Sequence, residues 1–455
     1  MKALILAAGK GERFHPFSYY RPKPLFPIAN RPLMEYGLRA LVESGVKDIG
    51  IVVGHRGGRI MAYFGDGSRF GCHISYIDQP RPSGTGDAVL LAREWAGGED
   101  CLVVYGDLYF PEEALEKVLN ALPKANSGVA AVGYHPEGGD RGLAAEVRDG
   151  KVWNYHWKDP HYRTFPVLWG IYGLKAPAWK GLKHLPDVVE EVGNGIFPPE
   201  ERDLAALTKV LAEAGMPLEA LEIEGVMDVD LPWQPLEVFQ RVVREMAEDL
   251  DETVVEEGAE IEEGAKVEGK MYLARGARIL RGAYLQGPIW VGEDTVIREG
   301  AHIYPYTVIG RDCVIGPYCE VSGCVGNRCR IMHCVEFGGM VLDESYFVHY
   351  CELAGIFGER SEIGAGTLVG TRRFDDMPNK VIVRGVNYRV PFSGVLFGDY
   401  SRTGVGAIIM PGRIVGPSAI VGPGVVLTHN AEPFTMVLVK QEQEVRPWGP
   451  EVYDR

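Results

Sequence analysis

The second half of the chain carries an aliphatic side chain at every sixth position. The unbroken series has twelve members: Val255, Ile261, Val267, Leu273, Ile279, Leu285, Val291, Ile297, Ile303, Ile309, Ile315 and Val321. An α-helix, with about 3.6 residues per turn, does not produce this period. A strict period of six with glycines in the turns is typical of stacked coils that bury one such residue per short strand. The repeat therefore predicts a parallel β-helix.

A second column lies four residues after each aliphatic residue and consists mostly of small side chains. Its members are Ala259, Ala265, Met271, Ala277, Ala283, Ile289, Thr295, Ala301, Thr307, Cys313 and Cys319. Six of the eight cysteines fall between Cys313 and Cys351, at intervals that fit neither a CxxC zinc site nor a secreted disulfide framework. We therefore expect these cysteines to be small core residues in the same column.

The period becomes irregular after Val321 and resumes in two further blocks, 357–369 and 397–427. Between these blocks, residues 370–394 break the register and are polar and basic. A segment of this kind is expected to leave the coil as a protruding loop or hairpin arm.

The repeat resembles that of the left-handed parallel β-helices of hexapeptide-repeat proteins, which commonly form trimers and host acyltransferases. The left-handedness and the homotrimer are implied by this resemblance and not by the spacing. Two interpretations stay open for this half: a platform that only assembles the oligomer, or a second active site.

The first half, up to about residue 232, alternates short apolar stretches with helical ones. Strands are predicted at 3–8, 49–53, 101–105 and 128–134, and helices at 32–44 and 112–122. This alternation predicts an α/β domain with a mostly parallel, doubly wound, Rossmann-like sheet. Ligands of such sheets bind beyond the carboxyl ends of the strands, where Gly9, Asp107 and residues 79–87 are expected to lie.

The overall charge excludes several partners. A formal net charge of −15 and a pI of about 5.3 argue against a nucleic acid or an anionic membrane as the ligand.

No apolar run approaches the length of a membrane span, and residues 1–8 predict a strand rather than a signal peptide. The chain is expected to be cytoplasmic.

The stretch "LAAGKGERFHPFSYYRPKP", residues 6–24, combines glycines, basic residues and prolines after the first strand. Gly9 and Gly11 would let backbone N–H groups approach phosphate oxygens. Arg13 and Lys23 would add a forked donor and a point charge for a polyphosphate. The stretch is neither GxGxxG nor GxxxxGK[ST], so a phosphate site and an ordinary glycine turn both fit it.

Four ordered motifs identify the first half as similar to a known family. They lie at residues 4–28, 64–92 ("FGDGSRFGCHISYIDQPRPSGTGDAVLLA"), 103–110 ("VVYGDLYF") and 224–238 ("EGVMDVDLPWQPLEV"). They resemble the motifs of sugar-1-phosphate nucleotidyltransferases. With the β-helix behind them, the layout resembles bifunctional N-acetylglucosamine-1-phosphate uridylyltransferases and their archaeal relatives, and the first half also resembles glucose-1-phosphate thymidylyltransferases.

The resemblance implies the Mg²⁺-dependent reaction of a nucleoside triphosphate with a sugar-1-phosphate to give an NDP-sugar and pyrophosphate. UTP or dTTP is favoured as the nucleotide. By motif position, Arg13 would hold the leaving pyrophosphate, and Lys23 the α-phosphate and the incoming phosphate. Gly9 and Gly11 would bring backbone N–H groups to the nucleotide. The residues implied to contact its base are Gln79, Gly84 and Thr85.

The same resemblance implies that Asp107 and Asp228 ligate Mg²⁺, which prefers carboxylate and phosphate oxygens. Asp230 is the alternative second ligand. Purely structural roles are also compatible with these aspartates, because Asp107 could cap a helix, and Asp228 or Asp230 could be a turn residue.

The sugar pocket departs from the family pattern. The resemblance implies sugar-phosphate contacts at Gly142, His156, Lys158 and Trp169, but the family's usual glutamate is replaced by His156 or Trp157. Loss of an acceptor for a hydroxyl would change which sugar fits, because paired polar groups give such sites their selectivity. Alternatively, these residues only pack the pocket wall.

Two further functions remain as alternatives. His349 matches the general base of the family's acetyltransferase branch, which would acylate an amino-sugar phosphate, but the expected tyrosine and asparagine fall at Glu352 and Thr371. The altered sugar pocket also fits a catalytically idle regulatory subunit that binds an NDP-sugar.

These observations divide the chain into four segments. They are a nucleotidyltransferase domain at 1–232, a linker helix at 233–252, the β-helix at 253–432 and a C-terminal tail at 433–455.

Overall fold

The computed structural model describes residues 1–135, 138, 142–157, 159–186, 201–390, 392–446 and 448–449. The chain divides into two compact units, Met1–Asp251 and Glu252–Arg455. No helix in the described ranges is long and apolar enough to cross a membrane.

The described part of the first unit contains thirteen strands, nine of which form its main sheet. They are β1 Lys2–Ala7, β2 Pro27–Ile28, β3 Arg31–Pro32, β4 Asp48–Val53, β5 His73–Asp78, β6 Cys101–Tyr105, β7 Leu108–Tyr109, β8 Gly128–Gly133, β9 Leu143–Arg148, β10 Lys151–Trp157, β11 Val167–Leu174, β12 Leu218–Glu222 and β13 Met227–Asp228. The strand order of the main sheet is β5-β4-β1-β6-β11-β8-β12-β10-β9.

The helices of this unit lie between the strands. They are α1 Leu33–Glu43, α2 Gly57–Phe64, α3 Thr85–Leu91, α4 Arg93–Ala96, α5 Glu112–Ala121, α6 Ala176–Gly181, α7 Ala206–Glu213 and α8 Pro235–Glu248. Short 3₁₀ turns include Glu12–Phe14 and Lys23–Leu25. The helix predicted at 233–252 is α8, and it belongs to the first unit.

The two faces of the sheet carry separate hydrophobic clusters, because successive side chains of a strand point to opposite faces. On β1, Ala3 and Ile5 belong to one cluster, whereas Leu4 and Leu6 belong to the other. Both clusters are buried, which agrees with an α/β unit covered on both sides.

The prediction of a mostly parallel sheet is confirmed for seven of the nine strands, which run in one direction, whereas β10 and β11 run the opposite way. Parallel pairing joins β5, β4, β1 and β6, and also β8 and β12. In contrast, β11 is antiparallel to β6, β8 and β9, and β10 is antiparallel to β9 and β12. Asp149 and Gly150, both with positive φ, form the two-residue turn between β9 and β10. An Asp-Gly pair favours such hairpin turns, which force antiparallel pairing.

The second unit is built of short strands, most of which pair in parallel. They are β14 Val254–Val255, β15 Glu260–Ile261, β16 Lys266–Glu268, β17 Met271–Leu273, β18 Arg278–Ile279, β19 Tyr284–Gln286, β20 Ile289–Val291, β21 Val296–Ile297, β22 His302–Ile303, β23 Thr307–Ile309, β24 Val314–Ile315, β25 Glu320–Val325, β26 Arg330–Ile331, β27 Glu336–Val341, β28 Tyr346–Phe347, β29 Glu352–Phe357, β30 Glu362–Ile363, β31 Leu368–Val369, β32 Asn379–Val383, β33 Val386–Val390, β34 Val395–Phe397, β35 Arg402–Thr403, β36 Ile408–Ile409, β37 Ile414–Val415, β38 Ile420–Val421, β39 Val426–Leu427 and β40 Met436–Val437.

These strands form the left-handed β-helix expected from the repeat. Val255 pairs with Leu273, and Leu273 with Val291, so one coil of the early stack takes eighteen residues, or three repeats. Most of the six-residue column is buried, including Ile279 and Ile303, which are fully buried. Val255 and Ile261 are exposed instead, because they lie in the first coil of this unit, where the stack begins.

The stretch with the irregular period is a set of shorter coils. Val321 pairs with Phe337, and Phe337 with Leu353, so each of these coils takes sixteen residues. In them the strands β25, β27 and β29 are each six residues long. Losing two residues per coil shifts the hydrophobic spacing, which is why a search for a strict period of six does not find these coils.

The cysteine prediction is confirmed for most of the six. Cys313, Cys319, Cys329 and Cys351 belong to the core cluster of the β-helix. The prediction is wrong for Cys334, which is partly exposed at a corner with φ of 57°. Cys324 is buried but lies outside that cluster, so it is not a member of the small-residue column.

Residues 370–394 leave the coil as an antiparallel hairpin, β32 and β33. Val381, Val383 and Val390 of this hairpin are buried, so one of its faces is covered. At the other end of the stack, β40 pairs in parallel with β38, so coil structure continues into the segment expected to be a tail.

Candidate active site

The glycine-rich loop begins where β1 ends, and it folds back onto the segment that carries Lys23. Gly11 has φ of 61°, and a Cβ at this position would lie 3.3 Å from the Cβ of Lys23. The Ser18 hydroxyl donates a hydrogen bond of 2.6 Å to the Gly11 carbonyl oxygen. A Cβ at Gly9 would meet no atom of the described residues within 4 Å, so among them the backbone there is open to a ligand.

Three phenylalanines anchor the segment between Arg13 and Lys23. Phe14, Phe17 and Phe26 are fully buried, and their ring centroids lie 5.1–5.9 Å apart. Aromatic rings at such separations pack in tilted or edge-on pairs that add to the stability of a core. The phenylalanines were not predicted from the sequence. Their only signal in the sequence is their spacing in an otherwise basic loop.

The aspartates of two distant motifs meet through a small antiparallel sheet. Strand β7 follows Asp107 directly, and Asp228 of β13 pairs with Leu108 of β7. The Val229 N–H donates a hydrogen bond of 3.2 Å to the Asp107 carbonyl oxygen. Oxygen atoms from the three carboxylates of Asp107, Asp228 and Asp230 lie within 4.8 Å of one another.

Two cations contact this carboxylate cluster. Lys23 forms ion pairs with Asp107 and with Asp230, the latter at 3.2 Å, and Arg13 binds Asp230 at 2.8 Å. Lys23 is only 8% exposed, whereas the Arg13 side chain is 38% exposed. The cluster therefore has a buried cation on one side and an accessible one on another.

Burial and charge shift the pKa values of this cluster in opposite directions. Burial lowers the pKa of Lys23, but the carboxylates of Asp107, Asp230 and Asp228 together outweigh it and raise the pKa above its ordinary value. Burial raises the pKa of Asp228 well above its ordinary value, and the charges of Asp230 and Asp107 raise it further. The ammonium of Lys23 therefore stays charged, while ionisation of the Asp228 carboxyl is disfavoured.

The donor set fits a hard divalent cation. Three carboxylates in close contact repel one another, and a cation that binds oxygen relieves this repulsion. Asp230 is bound by both Arg13 and Lys23, whereas Asp107 is bound by Lys23. Asp107 and Asp228 are therefore the two carboxylates with less contact to Arg13.

The carboxyl ends of β1, β4, β5 and β6 meet at one edge, as predicted. A Cβ at Gly54, just after β4, would lie 2.8 Å from the Ala8 carbonyl oxygen and 2.9 Å from that of Gln79. The Gly106 N–H, next to Asp107, donates to the Leu6 carbonyl oxygen at 2.9 Å. The glycine-rich loop, Asp107 and the segment 79–87 therefore start from neighbouring strand ends.

The segment 79–87, called the base loop below, contains the three residues expected to contact the base. Gln79 is 6% exposed, and its amide N–H donates to the Gly84 carbonyl oxygen at 3.0 Å. The outer side of this loop lines a cavity of about 290 Å³ together with Leu90 and Leu91. Gln79 and Gly84 are thus brought together by a direct hydrogen bond.

His156 and Trp157 point to opposite faces of β10, because they are adjacent on a strand. The Arg13 guanidinium lies 6.0 Å from the Trp157 ring centre. His156 stacks on Tyr162, with ring centroids 3.6 Å apart, and its Nε2 lies 3.6 Å from a carboxylate oxygen of Glu146. Of the two candidates for the family's glutamate position, Trp157 is therefore the one beside Arg13.

Glu146 was not predicted from the sequence. This residue of β9 is 20% exposed at its side chain and binds Arg148 as well as facing His156. An acidic residue on a strand, flanked by alanine and valine, gives no signal that would have distinguished it from a solvated one. Its position supplies a carboxylate next to His156.

The remaining sugar-pocket candidates lie in different surroundings. Trp169 is 7% exposed and belongs to the core cluster that includes Ile171. A Cβ at Gly133 would lie 2.3 Å from the Trp169 indole nitrogen, so this ring packs tightly on β8. A Cβ at Gly142 would lie 3.4 Å from the Val167 side chain. Lys158 lies outside the described residues.

His349 lies in the second unit, between β28 and β29. Its ring stacks on His333, one coil earlier, with centroids 4.9 Å apart, and it also contacts the ring of Tyr350 edge-on. The His349 carbonyl oxygen accepts from the Gly366 N–H at 3.0 Å. The side chain is partly exposed at this corner of the stack.

Comparisons with known proteins agree with this geometry. The profile of the Nucleotidyl transferase family matches residues 2–141. A glucose-1-phosphate thymidylyltransferase of Streptomyces griseus is 32% identical over 283 residues, which cover 57% of this chain and 74% of that protein. A similar enzyme of Streptomyces antibioticus is 30% identical over 50% of this chain and 70% of that protein.

A third relative extends over both units. The Bifunctional protein GlmU of Methanococcus maripaludis is 34% identical over 421 residues, which cover 90% of this chain and 91% of that protein. The region of this chain that the family profile matches includes the glycine-rich loop, Gln79, Gly84 and Asp107. The chain therefore belongs to the nucleotidyl transferase family and is a sugar-1-phosphate nucleotidyltransferase with a C-terminal β-helix.

Proposed function

We propose that the first unit transfers a nucleotidyl group from UTP or dTTP to a sugar-1-phosphate, with Mg²⁺ as the cofactor and pyrophosphate as the second product. The observation that carries this proposal is the cluster in which Lys23 and Arg13 meet Asp107, Asp228 and Asp230. The preference for a thymidine or uridine nucleotide is supported by the names of two relatives and by the Gln79–Gly84 pair. We further propose a cytoplasmic location and a homotrimer assembled by the β-helix.

The reaction is an in-line attack of the sugar-phosphate oxygen on the α-phosphorus. Such a transfer needs two anions held close together and their charge neutralised, and no protein nucleophile. The buried ammonium of Lys23 binds the α-phosphate and the incoming phosphate. The guanidinium of Arg13, more exposed and able to donate two parallel hydrogen bonds, holds the leaving pyrophosphate.

Asp107 and Asp228 are the proposed Mg²⁺ ligands, with Asp230 as the residue that orients Arg13 and Lys23. Support comes from the ion pairs that Asp230 makes with both cations. When bound, Mg²⁺ supplies positive charge to the phosphate oxygens during transfer. The backbone of Gly9 and Gly11 and the residues Gln79 and Gly84 then hold the nucleotide.

For the sugar side we propose that Gly142, Lys158 and Trp157 line the pocket. Trp157 is included because its ring contacts Arg13. At this position an apolar ring stands in place of an acceptor of sugar hydroxyls. Such a pocket selects against a sugar that needs a buried hydrogen bond at that point. His156, stacked on Tyr162, and Trp169, in the core cluster, would support the pocket without contacting the sugar phosphate.

The test is pyrophosphate release by the purified protein with Mg²⁺. Five nucleotides, UTP, dTTP, GTP, CTP and ATP, are each combined with a panel of sugar-1-phosphates. We expect release only when both substrates are present, and with UTP or dTTP. Absence of release for every pair, in a protein that still binds an NDP-sugar, would contradict the proposal and favour the regulatory alternative.

A second activity in the β-helix is favoured by one observation. The relative that covers both units is named a bifunctional protein. The candidate is acyl transfer to an amino-sugar phosphate with His349 as the general base. Release of free thiol from acetyl-CoA in the presence of an amino-sugar phosphate, lost in His349→Ala and unchanged in Asp107→Asn, would support it. Equal thiol release by the His349→Ala variant would contradict it.

A further inference from the structure

Residues 201–205, called the clamp segment below, pair with the base loop through their backbone. The Arg202 N–H donates to the Ser83 carbonyl oxygen at 3.0 Å, and the Gly86 N–H donates to the Arg202 carbonyl oxygen at 2.8 Å. Gly84, with φ of 103°, lies between these bonds, and a Cβ there would be 2.3 Å from the Arg202 carbonyl oxygen. Only glycine permits this approach, so the base loop takes its shape from the clamp segment.

The Thr85 hydroxyl is the side-chain link between the two segments. It donates to the Asp203 carboxylate at 3.1 Å and accepts from the Leu204 N–H at 2.8 Å and from the Tyr105 hydroxyl at 3.3 Å. A hydroxyl has one proton and two lone pairs, and all three are used here. The hydroxyl therefore joins the loop to the clamp segment and has no capacity left for a nucleotide.

Asp203 holds this link at its other end. The oxygen that accepts from Thr85 also accepts from the Ala205 N–H at 2.9 Å, which fixes the carboxylate at the start of α7. Beside it, Arg202 forms an ion pair of 2.6 Å with Asp87 of the base loop, with both side chains mostly buried. The loop is thus tied to the clamp segment at Ser83, Thr85 and Asp87 in turn.

We infer that Asp203 is a positioning residue for nucleotide recognition, which acts through Thr85 to hold Gly84 and Gln79 where they meet the base. This inference rests on the proposed function. Asp203 acts through its hydrogen bond with Thr85, whereas the proposed function assigns the phosphates to the glycine-rich loop, Arg13 and Lys23. Loosening the clamp therefore weakens recognition of the nucleoside and leaves recognition of the polyphosphate intact.

The test compares Asp203→Ala, Thr85→Val and the double variant with the unaltered protein. We expect each single variant to raise the KM for the nucleoside triphosphate about tenfold, the loss expected for one hydrogen bond to a charged group, with kcat and the KM for the sugar-1-phosphate within about twofold. Because both residues serve one hydrogen bond, the double variant is expected to be no worse than the more affected single one. Thr85→Ser keeps the hydroxyl and should match the unaltered protein.

A binding experiment separates positioning from a general loss of structure. In calorimetric titrations with Mg²⁺, Asp203→Ala and Thr85→Val should bind dTTP about tenfold more weakly, yet bind inorganic tripolyphosphate as the unaltered protein does. Asp66→Ala is the matched control, because Asp66 also accepts a backbone N–H, that of Ser68 at 2.9 Å, in a turn outside the clamp.

Three results would overturn the inference. They are an equal loss of dTTP and tripolyphosphate binding, additive effects in the double variant, and a Thr85→Val variant that equals the unaltered protein. Thr85→Val is nearly isosteric, so it keeps the test valid where Asp203→Ala fails to fold. If the unaltered protein neither turns over nor binds any nucleotide, the proposed function fails as well, whereas an active protein with unaffected variants refutes this inference alone.

Discussion

Each of the two units is stabilised internally by a different kind of contact. In the second unit each strand pairs with one sixteen or eighteen residues away, apart from the insertion at 370–394, and the side chains between them form one continuous hydrophobic column. In the first unit the carboxylate cluster brings Asp107 next to Asp228 and Asp230, and Lys23 pairs with Asp107 and Asp230, although these residues are far apart along the chain. A repeat can therefore be recognised from neighbouring residues, whereas an active site depends on strands that must first be brought together.

Ion pairs show the same contrast. On the surface of the β-helix, Glu344 binds Arg328 and Arg360 of the adjacent coils, both at 2.7 Å, and the two arginines are 41% and 51% exposed. Pairs of this exposure contribute little to stability, because water screens them. The Lys23 ammonium is instead buried among three carboxylates, so its charge is strongly coupled to theirs. Ion pairs thus lie on the exposed surface of the second unit, whereas in the first unit they form the candidate active site.

The largest expected effect is confined to the first unit. Asp107→Asn should lower the rate of pyrophosphate release about 1,000-fold, because it removes a proposed metal ligand and an anionic partner of Lys23. The mass of the particle, measured by light scattering, should not change, because we assign assembly to the β-helix. A variant that loses its oligomeric state would break the comparison, and Asp66→Asn serves as the control for a general effect of removing an aspartate.

A second prediction concerns the hydrophobic column. Ile409→Ala should lower the free energy of unfolding by about 2–5 kcal/mol, because it leaves a cavity between coils at a fully buried site. Ile408→Ala, on the same strand but 37% exposed, should cost much less. Differential scanning calorimetry of the full chain measures both. Similar losses for the two variants would mean that the outward side chain of β36 is also buried in the protein as it assembles.

A third prediction tests the sixteen-residue coils. Gly339 has φ of 132°, and a Cβ there would lie 2.0 Å from the Gly355 carbonyl oxygen of the next coil. Gly339→Ala should therefore cost about 1–3 kcal/mol of stability through backbone strain. A Cβ at the neighbouring Gly338 would meet only the Ser322 hydroxyl oxygen, at 3.3 Å, so Gly338→Ala is the control. Equal melting temperatures for the two variants would refute this account of the shorter coils.

The smallest expected effect sharpens the description of the sugar pocket. Trp157→Ala should raise the KM for the sugar-1-phosphate a few-fold, because a cation–π contact with Arg13 is worth about 0.5–1 kcal/mol at an exposed site. His156→Ala, on the opposite face of β10, should leave this KM unchanged. A larger effect for His156→Ala would show that the sugar lies on the face of Glu146 instead.

Much of this fold was predictable from short-range patterns. The predicted helices at 32–44 and 112–122 match α1 and α5, and the six-residue column predicted most of the β-helix core. The two reversed strands of the main sheet, β10 and β11, were missed, although the Asp149–Gly150 pair indicates the hairpin that leads into β10. The sixteen-residue coils were missed because a change of two residues per coil removes the period on which the prediction depended.

The candidate site was predictable only in part. The motifs placed Gly9, Gln79 and Asp107 after neighbouring strands, and the structure confirms that these strands end side by side. The three phenylalanines behind the loop, Glu146 beside His156 and the clamp on Thr85 were not predicted. Each of these depends on a contact between segments whose separation in the chain carries no periodic signal.

The sequence by itself determined the β-helix, because hydrophobic burial in stacked coils repeats with the chain and is visible in neighbouring residues. It also determined the α/β character of the first unit through the alternation of strands and helices. Only the tertiary structure decided that Asp230 binds both cations, that Trp157 rather than His156 lies beside Arg13, and that Asp203 reaches Thr85. The physical reason is that charge pairing and hydrogen bonding act over a few ångströms in space, and chain folding alone sets which residues come that close.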